Sequence, residues 1–347
     1  MKNFKILWRL FSKKNKKNSI FLIFLYIIQS FLEVISIAAV IPFITIIFSP
    51  ESLSNIPFLR EYSDYLLKFQ DDLLLIFCLI FLGLFIFKNL SLIWINNFKN
   101  NFVNIFKVEV SKRILIKYFS QDFLFFSKNK QGKILTILST ETHNLTHNYL
   151  DPIIILISEI LILLGILILI IISGYYKGLI VILPILFFAS FTLKSLNKKI
   201  RGFSHMRVEI AENVNTFLIR VYQGIRDVFL SNNAKNLAEK ISTYGKKQAF
   251  IEVKISNYQL LPKAILEIAG LLTLLILVIY FAKIGVDKNT ILTNLTFYFV
   301  IAYRSIPSYN KILIQNQKVN FSINSLNTIN NIFKLEDKRS LQKLENS

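Results

Sequence analysis

The chain has 347 residues, 53% of them apolar, with 41 basic against 21 acidic side chains and a net charge of +20; its mean hydropathy is +0.50. A soluble globular surface needs more charge than this composition leaves, and the lone cysteine, Cys78, excludes an intrachain disulfide and argues against a metal cluster. No Gly-Lys pair is followed by Ser or Thr, so a glycine-rich phosphate cradle is not recognisable; with no nucleophile–base pair either, the chain reads as non-enzymatic.

Six apolar stretches follow in order: Ser19–Phe48, Leu73–Ile95, Ile153–Ile172, Tyr175–Leu193, Tyr258–Ala282 and Asn289–Ser308. Each approaches the roughly 20 residues that a helix needs to cross a bilayer core about 30 Å thick. The first is too long for a signal peptide and Glu33 interrupts it, so it reads as a retained span. Between the first two stretches, Ile56, Leu59, Tyr62, Leu66 and Phe69 recur at helical spacing and predict an amphipathic helix at the membrane surface. The intervening segments Asn96–Asp151 and Lys194–Asn257 keep helical periodicity and are poor in Gly and Pro. They read as spans that continue as helices beyond the membrane and turn back. The fold class is therefore an all-α integral membrane protein with six long transmembrane helices. Residues 1–335 form one domain and residues 336–347 a charged tail or linker.

Placing the N-terminus inside leaves only Arg60, Lys68, Lys177, Lys283 and Lys288 outside, out of 41 basic residues. That distribution predicts both termini on the cytoplasmic side. It assigns the positive charge to a membrane collar that attracts anionic lipid, not to nucleic acid.

Charges within the spans are the candidate site. Lys88, Lys263 and Arg304 sit in or beside spans two, five and six. An ionised group at mid-bilayer costs at least about 2.5–3.5 kcal/mol on insertion scales, so such residues face a bundle interior or a watery cavity. Three cations with few anions nearby suit an anionic group; Arg304 offers a planar fork for phosphate and the lysines act as point charges. Two plainer readings stand beside this one: Lys263 pairs with Glu267 four residues on, and Lys88 snorkels from a helix end. Glu33 and Glu159 read as carboxyls hydrogen-bonded to a neighbouring helix, or protonated by burial. His143 and His147, four apart on a predicted helix, have metal-ligand spacing but no third ligand nearby in the sequence.

The run from Phe125 and Phe126 through Lys128, Asn129, Gly132 and Leu135 resembles the first intracellular coupling helix of ABC exporters. Val214 to Leu218, followed by Gln223, Gly224, Ile225 and Val228, looks like the second coupling helix and the start of the fifth long helix. Ser30 to Glu33, Pro42 to Thr45, Leu261 to Glu267 and Ala302 to Ser308 look like the PglK-type flippases of lipid-linked oligosaccharides. The resemblance covers the chain to about Leu335. It implies the six-span exporter fold as a domain-exchanged homodimer in a bacterial cytoplasmic membrane. It implies a polyprenyl-diphosphate-linked glycan as substrate, with Lys88, Lys263 and Arg304 lining the cavity. It further implies an ABC ATPase partner carrying ATP and Mg, engaged through Phe125, Phe126, Gly132, Phe217 and Gly224. Family members carry a nucleotide-binding domain in the same polypeptide, so here the ATPase is expected on another chain. A peptide-exporter membrane domain and a non-transporting remnant or assembly partner are the alternatives.

Overall fold

The computed structural model describes residues 2–40, 70–172, 179–231, 234–284 and 288–335, and among them there is no strand. In chain order the helices are α1 (Lys2–Leu10), α2 (Lys13–Ala38), α3 (Gln70–Phe119), α4 (Phe123–Lys128), α5 (Gln131–Ile172), α6 (Leu179–Gln223), α7 (Ile225–Ser231), α8 (Ala234–Ile284) and α9 (Lys288–Phe333). Four carry an apolar window long enough to cross a membrane: Lys13–Ala38, Leu75–Phe119, Gln131–Ile172 and Ala234–Ile279. These overlap the first, second and fifth expected stretches and contain the third; the first stretch beyond residue 40 lies outside the described residues. The fourth, from residue 179 on, and the sixth fall on the N-terminal parts of α6 and α9, where many side chains lie outside the described set, as do residues 175–178. The expected surface helix at residues 56–69 and the tail after residue 335 also lie outside it.

Local chemistry sets the helix ends. Ser12 caps α2, its hydroxyl accepting the Asn15 N–H at 3.3 Å, and Asp122 caps α4 by accepting the Phe125 N–H at 3.1 Å. Both satisfy a donor that the first turn leaves free. Helix α5 is irregular: Ile137–Glu141 and Thr146–Leu150 are π turns. Thr142 there donates to the Ile137 carbonyl at 2.8 Å, five residues back.

In the packing, α5 runs along α2 and α9, α2 also along α3, and α6 along both α8 and α9. Two apolar clusters hold this arrangement. One joins the polar halves of the helices through Leu7, Phe11, Phe106, Ile114, Leu145 and Ile329; Phe11 meets Phe106 edge-on with ring centroids 4.9 Å apart. Where these halves meet water, each such buried side chain contributes about 1.5–3 kcal/mol. The second cluster joins α2, α5, α8 and α9 through Ile37, Ile166, Ile170, Leu266, Tyr298 and Ile301. In lipid the drive for helix association is close packing, which small residues permit. Gly270 shows this: a Cβ there would sit 2.5 Å from Cδ1 of Ile306, so α8 and α9 approach as closely as they do because the position is bare. By contrast the apolar window of α3 is unburied, presenting Leu75, Leu79, Ile86 and Leu90 outward as a lipid-facing surface would.

Candidate functional site

Glu33 on α2 is 6% exposed. Its carboxylate meets two cations from different helices. Lys88 Nζ of α3 lies 3.4 Å from Oε2, and Arg304 Nε of α9 pairs with Oε1. Lys88 also stands 4.6 Å from the ring centroid of Phe85, a favourable place for an ammonium in a partly dry setting. The expectation of three cations with few anions nearby is corrected here. Lys88 and Arg304 are joined through an acid and carry one net positive charge with it. Lys263 stands apart from the pairing: its side chain is 58% exposed and its Nζ lies 3.9 Å from Glu267, four residues on. Glu33, read from sequence as hydrogen-bonded or protonated, is the bridging ion. Gln29, one turn before Glu33 on α2, and Ser305 and Ser308, beside and one turn after Arg304 on α9, are buried, and their side-chain polar atoms make no hydrogen bond to described residues.

Other buried or half-buried acids are also matched by cations from distant helices. Glu159 on α5 accepts from Lys311 on α9 at 2.7 Å, so the sequence reading of a carboxyl bonded to a neighbouring helix finds its partner there. Asp151 pairs with Lys99 at 2.8 Å. Glu141, fully buried in the first π turn of α5, lies 3.4 Å from Arg207 of α6, whose guanidinium also covers the Phe321 ring at 5.0 Å. Sequence spacing carries no signal for Arg207 or Lys311, since their partners are far away in the chain.

At the opposite ends of the helices the two predicted coupling segments come together. Gly132 opens α5 directly against Thr216 of α6: a Cβ there would lie 2.5 Å from the Thr216 amide nitrogen and 2.7 Å from its Cα. Asn215 donates to Thr136 Oγ1 at 2.7 Å, Gln223 to Gln131 Oε1 at 3.0 Å, and Lys130 lies 3.6 Å from Glu212. Phe125 and Phe126 turn inward against the first cluster, the Phe125 ring tilted against Tyr118 with centroids 5.8 Å apart. The outward apolar residues of α4 are Phe123, 84% exposed, and Leu124. Phe217 packs near Tyr244 at 6.2 Å. Gly224 makes the break between α6 and α7, its N–H donating to the Arg220 carbonyl at 3.0 Å. Just beyond it, α7 exposes Phe229 and Leu230. The family model for the ABC transporter transmembrane region matches residues 11–305. The chain belongs to that family.

As an ABC transporter membrane domain, the chain is the membrane-spanning component of a multi-pass transporter that works with an ATPase. The match runs from the N-terminal edge of α2 to one residue beyond Arg304, and so contains Glu33, Lys88, Lys263 and both coupling segments. His143 and His147 lie side by side, tilted, with ring centroids 4.5 Å apart. Among the described residues no group of three His, Cys, Asp or Glu side chains is arranged to hold a metal. A separate cavity of about 360 Å³ opens between α5, α6 and α8, lined by Asn144, Asn148, Arg207, Gln248 and Glu252.

Proposed function

We propose that this chain moves an anionic glycolipid across the membrane, a polyprenyl-diphosphate-linked oligosaccharide or a close relative. The observation that carries the reading is the convergence of Lys88 and Arg304, from two helices, on one carboxylate within the apolar region. Two cations held together in a low-dielectric setting are costly unless an anion stands between them. A diphosphate meets that need with more charge and more acceptor oxygens than a carboxylate, and Arg304 can take two of those oxygens at once. The lipid tail would stay in the bilayer while the head group crosses. Lys263, exposed and only loosely paired, is the cation free to meet the head group on arrival.

Movement would come from ATP and Mg bound to the ATPase. Phe123 and Leu124 of α4, with Phe229 and Leu230 of α7, form the apolar docking surface for it. In this reading two copies enclose one cavity, and both termini lie in the cytoplasm of a bacterial cell. A second reading, peptide export, draws support from the pairing of Glu33 with Lys88 and Arg304, which offsets one of the two positive charges and lessens the demand for an anionic cargo. The deciding assay is flipping of a fluorescent lipid-linked glycan in vesicles holding this chain and its ATPase. No flipping of the glycan by the parent complex would remove the glycolipid reading and leave peptide export, while full flipping in a Lys88→Ala, Arg304→Ala variant would remove those two cations from head-group binding.

A further inference from the structure

We infer that Glu33 is an internal counter-ion that an anionic head group must displace, and that Gln29 receives the displaced carboxylate. The inference rests on the anionic-cargo reading above and adds to it a residue that holds the empty site closed.

Glu33 occupies the place a phosphate would take, bridging Lys88 at 3.4 Å and Arg304. Its side chain is 7% exposed, while those of Lys88 and Arg304 are 14% and 21% exposed. The acid is thus the inner member of the triad, and a second anion can approach the cations from their outer side. A single carboxylate balances only one of the two positive charges. A diphosphate carries at least two negative charges, so exchanging one for the other improves the charge balance in a region of weak screening. A neutral or cationic cargo cannot drive that exchange. The counter-ion therefore acts as a selectivity filter by exclusion, because the wrong cargo leaves the Glu33 pairs unbroken.

A displaced carboxylate needs a new partner, since an unpaired buried charge is costly. Gln29 lies four residues before Glu33 and so on the same face of α2. It is 1% exposed, and neither its amide nitrogen nor its amide oxygen has a hydrogen-bond partner among the described residues. A rotation of the Glu33 side chain toward the N-terminus of α2 would let Gln29 Nε2 donate to it. Ser308, four residues after Arg304 and equally buried, likewise has a hydroxyl without a described partner. It is placed to donate to the arriving head group.

The test measures binding of farnesyl diphosphate, with farnesol as the neutral control, to the full chain in nanodiscs by calorimetry and thermal shift. Glu33→Gln removes the competitor, and the diphosphate should then bind about tenfold tighter or more, as loss of one competing interaction of ordinary strength implies. Without ligand this variant should melt lower than the parent, because two cations lose their anion; saturating diphosphate should restore it, and farnesol should not. Gln29→Leu should weaken diphosphate binding in the parent but leave it unchanged in the Glu33→Gln background, where nothing needs receiving. If Glu33→Gln fails to fold, Glu33→Asp retains the charge on a stem one methylene shorter and should bind tighter than the parent. Unchanged or weaker diphosphate binding on replacing Glu33 overturns the inference, because the acid then organises the cations instead of competing for them. If Lys88→Ala, Arg304→Ala binds as the parent does, the anionic-cargo reading fails and takes the counter-ion with it. Loss of binding in that double variant together with unchanged binding in Glu33→Gln keeps the cargo reading and rejects the counter-ion alone.

Discussion

Gly132→Ala is a one-methyl change at the joint between the two coupling segments. The added Cβ would sit 2.5 Å from the Thr216 amide nitrogen and 2.7 Å from Thr216 Cα, and would also overlap its hydroxyl. Because two of those atoms belong to the backbone, no rotamer change at Thr216 clears the space. Either α5 must move away from α6 or the opening turn of α5 must distort. Overpacking of this kind costs typically about 1–3 kcal/mol. Separation also stretches the Asn215–Thr136 hydrogen bond, now 2.7 Å, which is worth about another 1 kcal/mol. A loss of about 2–4 kcal/mol should lower the thermal midpoint by roughly 3–5 °C at the scale usual for chains of this size. The assay is thermal unfolding of the solubilised chain followed by size-exclusion fluorescence. Thr216→Ala in the Gly132→Ala background should recover only part of the loss, since it deletes the hydroxyl and leaves the backbone contact. A Gly132→Ala protein as stable as the parent would refute the close joint, and full rescue by Thr216→Ala would refute the backbone part of it.

Phe123→Ala should leave the melting temperature unchanged and separate ATP hydrolysis from transport, whereas Phe125→Ala should lower stability by about 3–5 kcal/mol at most, the range for an aromatic truncated in a packed core; paired melting and coupling assays distinguish the two. Arg304→Lys should retain only part of the substrate-stimulated ATPase activity that Arg304→Ala loses, because the ammonium keeps the charge but not the fork; equal activity in Lys and parent would show that only charge matters. Lys311→Met strands the buried Glu159 carboxylate and should destabilise by about 3–5 kcal/mol, while adding Glu159→Gln should recover most of that. Additive losses in the double variant, read by thermal unfolding, would show that the 2.7 Å contact between the two residues contributes no coupling.

Much of the architecture was legible in the chain because it depends on local, repeated physics. Runs of about 20 apolar residues have few options in a bilayer other than a helix, and Leu75–Phe119 and Ala234–Ile279 contain such runs where hydropathy places them. The coupling segments were legible by resemblance, and the turn between α4 and α5 has a local cause in the Asp122 cap. Direction was not legible. The aromatic pair Phe125–Phe126 stands out in sequence, yet the orientation of α4 turns that pair inward and leaves Phe123 to face outward. The sequence distinguishes the three span cations by chemistry and offers Glu267 as a local partner for Lys263, but not by which helix each one faces. Only the tertiary structure separates them, drawing Lys88 and Arg304 onto Glu33 and leaving Lys263 on an exposed helix face. The physical reason is range: hydropathy and capping act over a few residues, whereas an ion pair between α2, α3 and α9 exists only once long helices have chosen their neighbours and their rotation.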